Sequence, residues 1–236
     1  MQEYEIVSVA IHGPAIATRM RRGGDLPMVL SYDHVPAFWI KTWPDVAEEW
    51  KTRRRQYGWP SASVMEEITR DGVLLVAACH SASTDPHNEW RISFTIAERI
   101  LVDSLTNVQR LAYLYAKLVW MSALKSTSFL VSYHLKIALL WLCEERPAEF
   151  WTGGNLVDCV ADVFRWLRRE IADTGRLRNY FIVTDNMIPA WATANDELIR
   201  ALDRIIDNVF QVSKYSHVSV TSWQGGLEQR ATSGRA

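Results

Sequence analysis

The spacing of hydrophobic residues divides the chain into a strand-rich first third and a helical remainder. In the first third, apolar and polar positions alternate with the two-residue period of a strand. Strands are predicted on this basis over residues 4–11, 15–19 and 28–35. Gly13-Pro14 predicts the first turn and residues 21–25 a polar loop. Pro36 ends the clean pairing of the third strand or places that strand at an edge.

Shorter helices and a further strand are predicted between residues 44 and 78. Pro44 suits the first position of a helix that ends near Gly58. The apolar stripe of that helix is carried by Val46, Trp50 and Tyr57. Ser63 with Glu66 three residues on is a capping-box pattern and predicts a second short helix. Residues 72–78 are a short, β-rich apolar run, which predicts a further strand.

From Thr95 onward the pattern is helical. Thr106 and Gln109 form another capping box. Residues 131–144 are apolar on nearly all sides, which predicts a central buried helix. One-sided apolar faces are formed by Val108, Leu111, Tyr115 and Leu118, by Leu156, Val160, Phe164, Leu167 and Ile171, and by Leu198, Leu202, Ile205, Ile206 and Val209. Strands followed by a run of helices predict an α+β fold with a helical C-terminal lobe.

Composition narrows the class of protein. A net charge of -1 excludes a surface that attracts nucleic acid everywhere, although a local basic patch remains compatible with it. Three widely spaced cysteines without a Cys-x-x-Cys motif indicate neither a disulfide framework nor a zinc knuckle. They favour a reducing compartment, and we expect a cytoplasmic or nuclear protein. The most apolar run, residues 137–143, is shorter than the ~20 residues of a membrane-spanning helix, so no membrane partner is expected.

Several short motifs, taken in order, carry a family resemblance over most of the chain. They are His12-Gly13-Pro14-Ala15, Trp43-Pro44, Trp50, Gly58-Trp59-Pro60-Ser61, Glu89–Glu98, Ser132–Lys136 and Asn179–Ile182. Together they resemble the C-terminal part of the male-abnormal-21 family, which has a nucleotidyltransferase fold and includes cyclic GMP-AMP synthase. The resemblance implies a partial nucleotidyltransferase core at 1–88 and a helical lobe at 89–212. The polar residues 213–236 are expected to form a flexible tail.

The same resemblance assigns nucleotide-binding positions. Four side chains would line a base pocket: Arg91, Ser93, Thr95 and Glu98. Lys117 and Lys136 would reach a triphosphate of ATP or GTP, because an ammonium supplies a mobile point charge. Ser132 and Tyr133 would lie beside them, and the Tyr133 ring can stack on a base.

Each residue also has an ordinary structural interpretation. Arg91 can pair with a carboxylate such as Glu98, and Tyr133 can be a packing residue. Lys117 can be a lysine whose stem covers an apolar helix. His134 is expected to be a packed or capping histidine rather than a catalytic one.

The number of metal-binding carboxylates decides whether phosphoryl transfer is expected. Active relatives clamp two Mg²⁺ ions with three acids, and by the resemblance Asp33 matches the third of them. In active relatives a Gly-Ser that holds the triphosphate lies shortly before the first two acids, and no Gly-Ser precedes Asp33 here. We interpret Glu3 and Glu5 as a pair of solvated charges at the end of a strand. One carboxylate cannot hold two divalent ions against water. We therefore expect an inactive chain with an incomplete magnesium site and Asp33 as its only catalytic candidate.

The sequence differs from cyclic GMP-AMP synthase in a region that binds zinc and DNA, and this affects which partners are expected. The zinc-binding insertion of cyclic GMP-AMP synthase contains His and Cys, and neither occurs between Glu98 and Ser132, so no zinc is expected. Double-stranded nucleic acid is a further candidate partner. Its cations would come from Lys51–Arg55, from Arg165, Arg168 and Arg169, or from Arg176 and Arg178. Nearby Glu48 and Glu49 favour a solvated mixed-charge face instead.

Three hypotheses remain. The chain is part of a longer or truncated enzyme that joins nucleoside triphosphates into a signalling dinucleotide. Alternatively, it is a non-catalytic male-abnormal-21-like protein that binds a nucleotide or a protein partner, the latter through an exposed sheet edge. The third is a helical interaction module without a nucleotide function.

Overall fold

The computed structural model describes residues 4–12, 14–23, 28–79, 83–85, 88–123, 130–189 and 196–215. The strands are β1 (Tyr4–His12), β2 (Ala15–Arg22), β3 (Met28–His34), β4 (Ala37–Ile40), β5 (Val73–Val76) and β6 (Arg91–Ser93). The α-helices are α1 (Glu48–Thr52), α2 (Ala62–Asp71), α3 (Thr95–Asp103), α4 (Asn107–Ala123), α5 (Ser132–Glu145), α6 (Leu156–Thr174) and α7 (Asp196–Tyr215). All six of these strands lie before Thr95, and helices α3–α7 begin at Thr95 or later, so the predicted α+β class with a helical C-terminal lobe is confirmed.

The chain forms two compact units. The first comprises Met1–Asp45 and Glu66–Ile100, and the second comprises Val46–Met65 and Leu101–Ala236. This grouping differs from the expected division at residue 88, because 89–100 join the first unit and 46–65 join the helices. Residues 1–3, Gly13 and the tail beyond residue 215 lie outside the described residues, and with them the predicted turn glycine, Glu3 and most of the predicted tail.

β1, β2 and β3 form an antiparallel sheet with two unlike faces. The register pairs Ile11 with Ile16 and Val9 with Thr18, and a shift between Ile6 and Ser8 reverses the alternation of β1 there. One face therefore carries the apolar residues Ile6, Val9, Ile11, Ile16 and Tyr32, which are 42–79% exposed. β2 continues to Arg22, so the loop predicted at 21–25 begins later than expected.

β4, β5 and β6 form a second antiparallel sheet in the first unit. The sequence pattern predicted β5 but did not show β4, a four-residue strand directly after Pro36. Gly72 has a φ of 71° and leads into β5. Its α-carbon faces the backbone of Ile40 and Thr42 so closely that no side chain fits there. The core of the unit includes Trp43, Ile68, Val73, Val76 and Phe94.

In the second unit, α5 is the central buried helix that the sequence predicted. Residues 137–144 are all buried along it, and α6 packs against α4, α5 and α7. The capping box at the start of α4 is confirmed: the Thr106 N–H donates to Gln109 Oε1 at 2.8 Å, and the Gln109 N–H donates to Thr106 Oγ1 at 3.3 Å. The apolar face predicted for α4 is largely exposed at Tyr115 and Leu118, because Ala112 and Ala116 face the core instead.

Two predicted helix boundaries were wrong. The helix expected from Pro44 to Gly58 is a 3-10 turn, Asp45–Ala47, followed by the short α1. α1 ends at Thr52 because Arg53 adopts an extended conformation and turns into the protein interior. Ser61, rather than Ser63, caps α2, since its Oγ accepts a hydrogen bond from the Val64 N–H at 3.4 Å. Within the part of the chain that the structure describes, no helix is long and apolar enough to span a bilayer.

Candidate functional site

Asp33 lies on β3, on the face opposite the apolar residues. Its register partner is Ala17, and Ser31 and Arg19 lie one step along the same face. The side chain is exposed and, among described residues, has no ion-pair partner. Glu5 lies opposite Arg21 near the strand ends, in keeping with a solvated charge. No three His, Cys, Asp or Glu side chains converge as metal ligands among the residues described.

The first group of predicted nucleotide-binding residues lies at β6 and the start of α3, in the first unit. Arg91 and Ser93 share one face of β6, because successive side chains of a strand alternate. Ser93 Oγ lies 2.8 Å from Thr95 Oγ1, so the two hydroxyls form a pair. Glu98 is buried on the first turn of α3. Arg91 is exposed and, among the described residues, makes no ion pair with Glu98 or another carboxylate.

The second group lies where α5 begins, in the second unit. Lys136 Nζ is 4.9 Å from the centroid of the Tyr133 ring, a cation–π contact. Tyr113 of α4 donates from its hydroxyl to the Ser132 carbonyl at 3.5 Å. Lys117 of α4 lies 5.9 Å from the Tyr113 ring. The pair Tyr113–Ser132 thus links the two helices that carry Lys117 and Lys136.

His134 has the structural role expected of it. Its Nδ1 accepts a hydrogen bond from the Val131 N–H at 3.2 Å, which satisfies a donor at the start of α5. Burial lowers the pKa of His134 to about 4, and a hydrogen bond to the Met187 backbone opposes this shift in part. The imidazole is therefore neutral at physiological pH and caps the helix without adding charge.

The candidate nucleic-acid cations are mostly engaged in ion pairs. Arg53 and Arg55 are buried and both contact the Glu144 carboxylate, at 2.8 and 3.2 Å. Arg165 pairs with Asp162 at 3.1 Å and Arg168 with Asp203 at 2.9 Å. Arg169 and Arg178 both reach Glu145, and Arg176 donates to the Thr184 carbonyl. These contacts fit the mixed-charge interpretation, and nothing in the structure tests nucleic-acid binding itself.

Sequence reasoning missed the Glu144 cluster. Besides Arg53 and Arg55, the carboxylate accepts a hydrogen bond from the buried Tyr180 hydroxyl. The Arg53 guanidinium lies between two rings, 4.2 Å from the Trp141 centroid and 4.6 Å from that of Tyr180. Burial, followed by the neighbouring Glu144 charge, raises the pKa of Tyr180, so the phenol stays protonated. The available signal was a glutamate directly after the apolar run 137–143, because a charge on a buried helix needs a partner.

The fold and the positions above define a class of protein, a nucleotidyltransferase-like sheet region followed by a helical lobe. Two family models match the chain. The Mab-21 protein nucleotidyltransferase domain matches residues 3–104, and the Mab-21 protein HhH/H2TH-like domain matches residues 114–207. Together they cover most of its length. The chain therefore belongs to the Mab-21 (male-abnormal-21) family, and the resemblance read from its short motifs is confirmed.

Proposed function

We propose that this chain is the nucleotide-binding part of a Mab-21 protein similar to cyclic GMP-AMP synthase, and that it binds ATP or GTP without joining them. The observation that carries the proposal is Arg91. It is an exposed guanidinium with no ion-pair partner among the described residues, on the same strand face as Ser93 and beside the Ser93–Thr95 hydroxyl pair. A cation held on a strand next to two hydroxyls offers hydrogen bonds to the edge of a base or to ribose.

The α5 group lies in the second unit, and its own chemistry suits a phosphate. Lys117 and Lys136 each carry an ammonium group near a tyrosine ring, Lys117 at 5.9 Å from that of Tyr113 and Lys136 at 4.9 Å from that of Tyr133. A ring in contact with a cation can stack on a base while the cation contacts phosphate. Ser132 contributes a hydroxyl at the first position of α5.

We propose that the 236 residues do not catalyse phosphoryl transfer by themselves. Two-metal catalysis requires several carboxylates that converge, and Asp33 lies with Ser31, Ala17 and Arg19 on its face of the sheet. Asp33 would contribute one ligand to a magnesium pair that further acids complete. We expect no zinc.

Isothermal titration calorimetry tests the binding proposal. We expect heat from ATP or GTP with the wild-type chain, and weaker binding by about tenfold or more for Arg91→Ala, since a charged hydrogen bond contributes ~1.5–3 kcal/mol. Arg21→Ala is the matched control, because Arg21 is also an exposed arginine of the first unit but lies on β2, opposite Glu5. No heat with either nucleotide at millimolar concentration would contradict the proposal.

Incubation with labelled ATP, GTP and magnesium tests inactivity. We expect no product above the level without protein. A dinucleotide that forms only when the chain is present, and disappears with Asp33→Asn, would show that the chain finds its metal ligands elsewhere.

A second candidate function is protein binding, and the β1–β3 sheet favours it. Its exposed face is apolar, and within the described sheet β1 and β3 are both edge strands whose outer backbone groups can pair with an added strand. If neither ATP nor GTP binds, this candidate takes precedence. Its signature would be a partner complex that Val9→Lys disrupts while Asp33→Asn leaves it intact.

A further inference from the structure

Trp39 is the large aromatic residue that shares a sheet face with Arg91 and Ser93. The register pairs Trp39 with Leu74 and Leu74 with Ser93, so the three side chains form one row across β4, β5 and β6. Ala37, Val76 and Arg91 form the neighbouring row on the same face. The intervening residues belong to the opposite face, where Phe38 contacts Trp90 at 5.0 Å between ring centroids.

The Trp39 ring is both exposed and fixed. Its side chain is 54% exposed, which is unusual for so large an apolar group. The indole Nε1–H donates to the Asp71 carbonyl at 2.6 Å, so its polar group is already satisfied within the protein. What Trp39 presents outward is therefore an oriented aromatic surface, and little freedom remains to be lost on binding a ligand.

The charge beside the ring suits an anionic ligand. Lys41 Nζ lies 4.7 Å from the centroid of the Trp39 ring. Arg91 supplies a second cation on the same face, while the nearby Asp71 carboxylate is paired with Arg70 at 3.0 Å. An aromatic surface flanked by cations favours a planar, negatively charged molecule over a neutral apolar one.

The spacing fits one planar ring. Trp39 and Ser93 are two strands apart, about 10 Å between their backbones. Stacked aromatic rings lie ~4.5–7 Å apart between centroids, so a ring stacked on Trp39 above Leu74 would cover most of the distance to Ser93. The row thus offers a stacking surface at one end and a hydroxyl at the other.

We infer that Trp39 is a base-stacking residue of the proposed nucleotide site, and that the base lies over Leu74 between Trp39 and Ser93. The inference rests on the proposed function and adds a contact that selects for the base, not for the phosphates. Stacking on an aromatic ring is available to every base, so it binds adenine and guanine alike.

Calorimetry with ATP, GTP and inorganic triphosphate tests this role. We expect Trp39→Leu to weaken ATP and GTP binding by about tenfold, because removing a ring that stacks on a base typically costs that much affinity. The binding of inorganic triphosphate should be unchanged. Trp39→Phe should retain most of the affinity because an aromatic surface remains. Trp90→Leu is the matched control: Trp90 is also exposed and directly precedes β6, but it contacts Phe38 on the opposite face of the sheet.

The outcomes separate the two claims. Wild-type chain that binds neither ATP nor GTP overturns the proposed function and the stacking role with it. Wild-type chain that binds, with Arg91→Ala weakened but Trp39→Leu unchanged, overturns the stacking role alone. An equal loss of ATP and triphosphate affinity in Trp39→Leu also overturns it, because that loss would be a general structural effect.

A second measurement applies if Trp39→Leu does not fold. The chain is labelled with 5-fluorotryptophan, and the fluorine resonance of Trp39 is assigned through its disappearance in Trp39→Phe. A shift of that resonance on adding ATP, with none on adding inorganic triphosphate, supports stacking. An unchanged resonance at a saturating ATP concentration overturns it.

Discussion

Arg53 donates two hydrogen bonds to the Glu144 carboxylate, from Nε at 3.1 Å and from Nη2 at 2.8 Å, across 91 residues of chain. Both side chains are buried within the second unit. The contact attaches the segment after α1 to the central helix α5, with Arg55 and Tyr180 completing the environment of the carboxylate. It explains why residues 46–65 belong with the helices although they are flanked in sequence by the sheets.

The first prediction concerns this cluster. Glu144→Ala leaves two buried arginines without their carboxylate, and we expect a loss of about 3–5 kcal/mol in the free energy of unfolding. Urea denaturation followed by circular dichroism measures it. Glu48→Ala is the control, because the Glu48–Lys51 pair is half exposed and should contribute less than about 1 kcal/mol. Equal losses for the two variants would contradict a special role for Glu144.

The second prediction is a pH dependence caused by His134. Its pKa is about 4 in the folded chain against 6.5 for an ordinary histidine, so the unfolded chain takes up the proton first. The stability that depends on neutral His134 is fully present above pH 6.5 and is lost as the pH falls towards 4. Between pH 7 and 5 the loss should be about 2 kcal/mol.

Comparison with His134→Gln isolates that effect. Glutamine can accept from the Val131 N–H but does not titrate, and the other histidines are unchanged. We therefore expect the unfolding free energy of the variant to fall less steeply over the same pH range. Parallel curves for the two proteins would show that His134 titrates normally when folded.

The third prediction concerns thiol reactivity. Cys79 is exposed, whereas Cys143 and Cys159 are buried in α5 and α6. Burial raises the pKa of both buried thiols, that of Cys159 to about 12, so little thiolate is present at pH 8. A thiol reagent should modify one cysteine quickly in the folded chain and all three in urea. Fast modification that persists in Cys79→Ser would contradict this assignment.

The fourth prediction concerns the entry into β5. Gly72 combines a φ of 71° with a close approach to the Ile40 carbonyl oxygen, so Gly72→Ala must displace the backbone between β4 and β5. Gly58 has a similar φ of 69° but open space around it, and is the matched control. We expect about 1 kcal/mol of destabilisation for Gly58→Ala, from the left-handed conformation alone, and clearly more for Gly72→Ala in urea denaturation. Equal effects would mean that the contact with Ile40 is relieved without cost.

Local patterns in the sequence determined the elements that depend on near neighbours. The alternation over residues 4–11, the Thr106–Gln109 capping box and the all-round apolar run of α5 each reflect interactions within one element, and each was read correctly. The motifs from Glu89 to Glu98 and from Ser132 to Lys136 likewise led to the right family. The nucleotide roles of their residues remain predictions.

Only the tertiary structure decided what depends on partners far away in the chain. α1 ends early because Arg53 pairs with Glu144, 91 residues later. Two of the four cations in residues 51–55, Arg53 and Arg55, lie in the interior for the same reason. Trp39 lies in the same cross-strand row as Ser93 because both pair with Leu74, which no local period encodes. A pattern of hydrophobic residues shows which side of an element is apolar. It does not show whether a charge is buried or which side chain lies next to another across a sheet. Both depend on the packed fold, because the interaction energies involved arise only when distant segments of the chain meet.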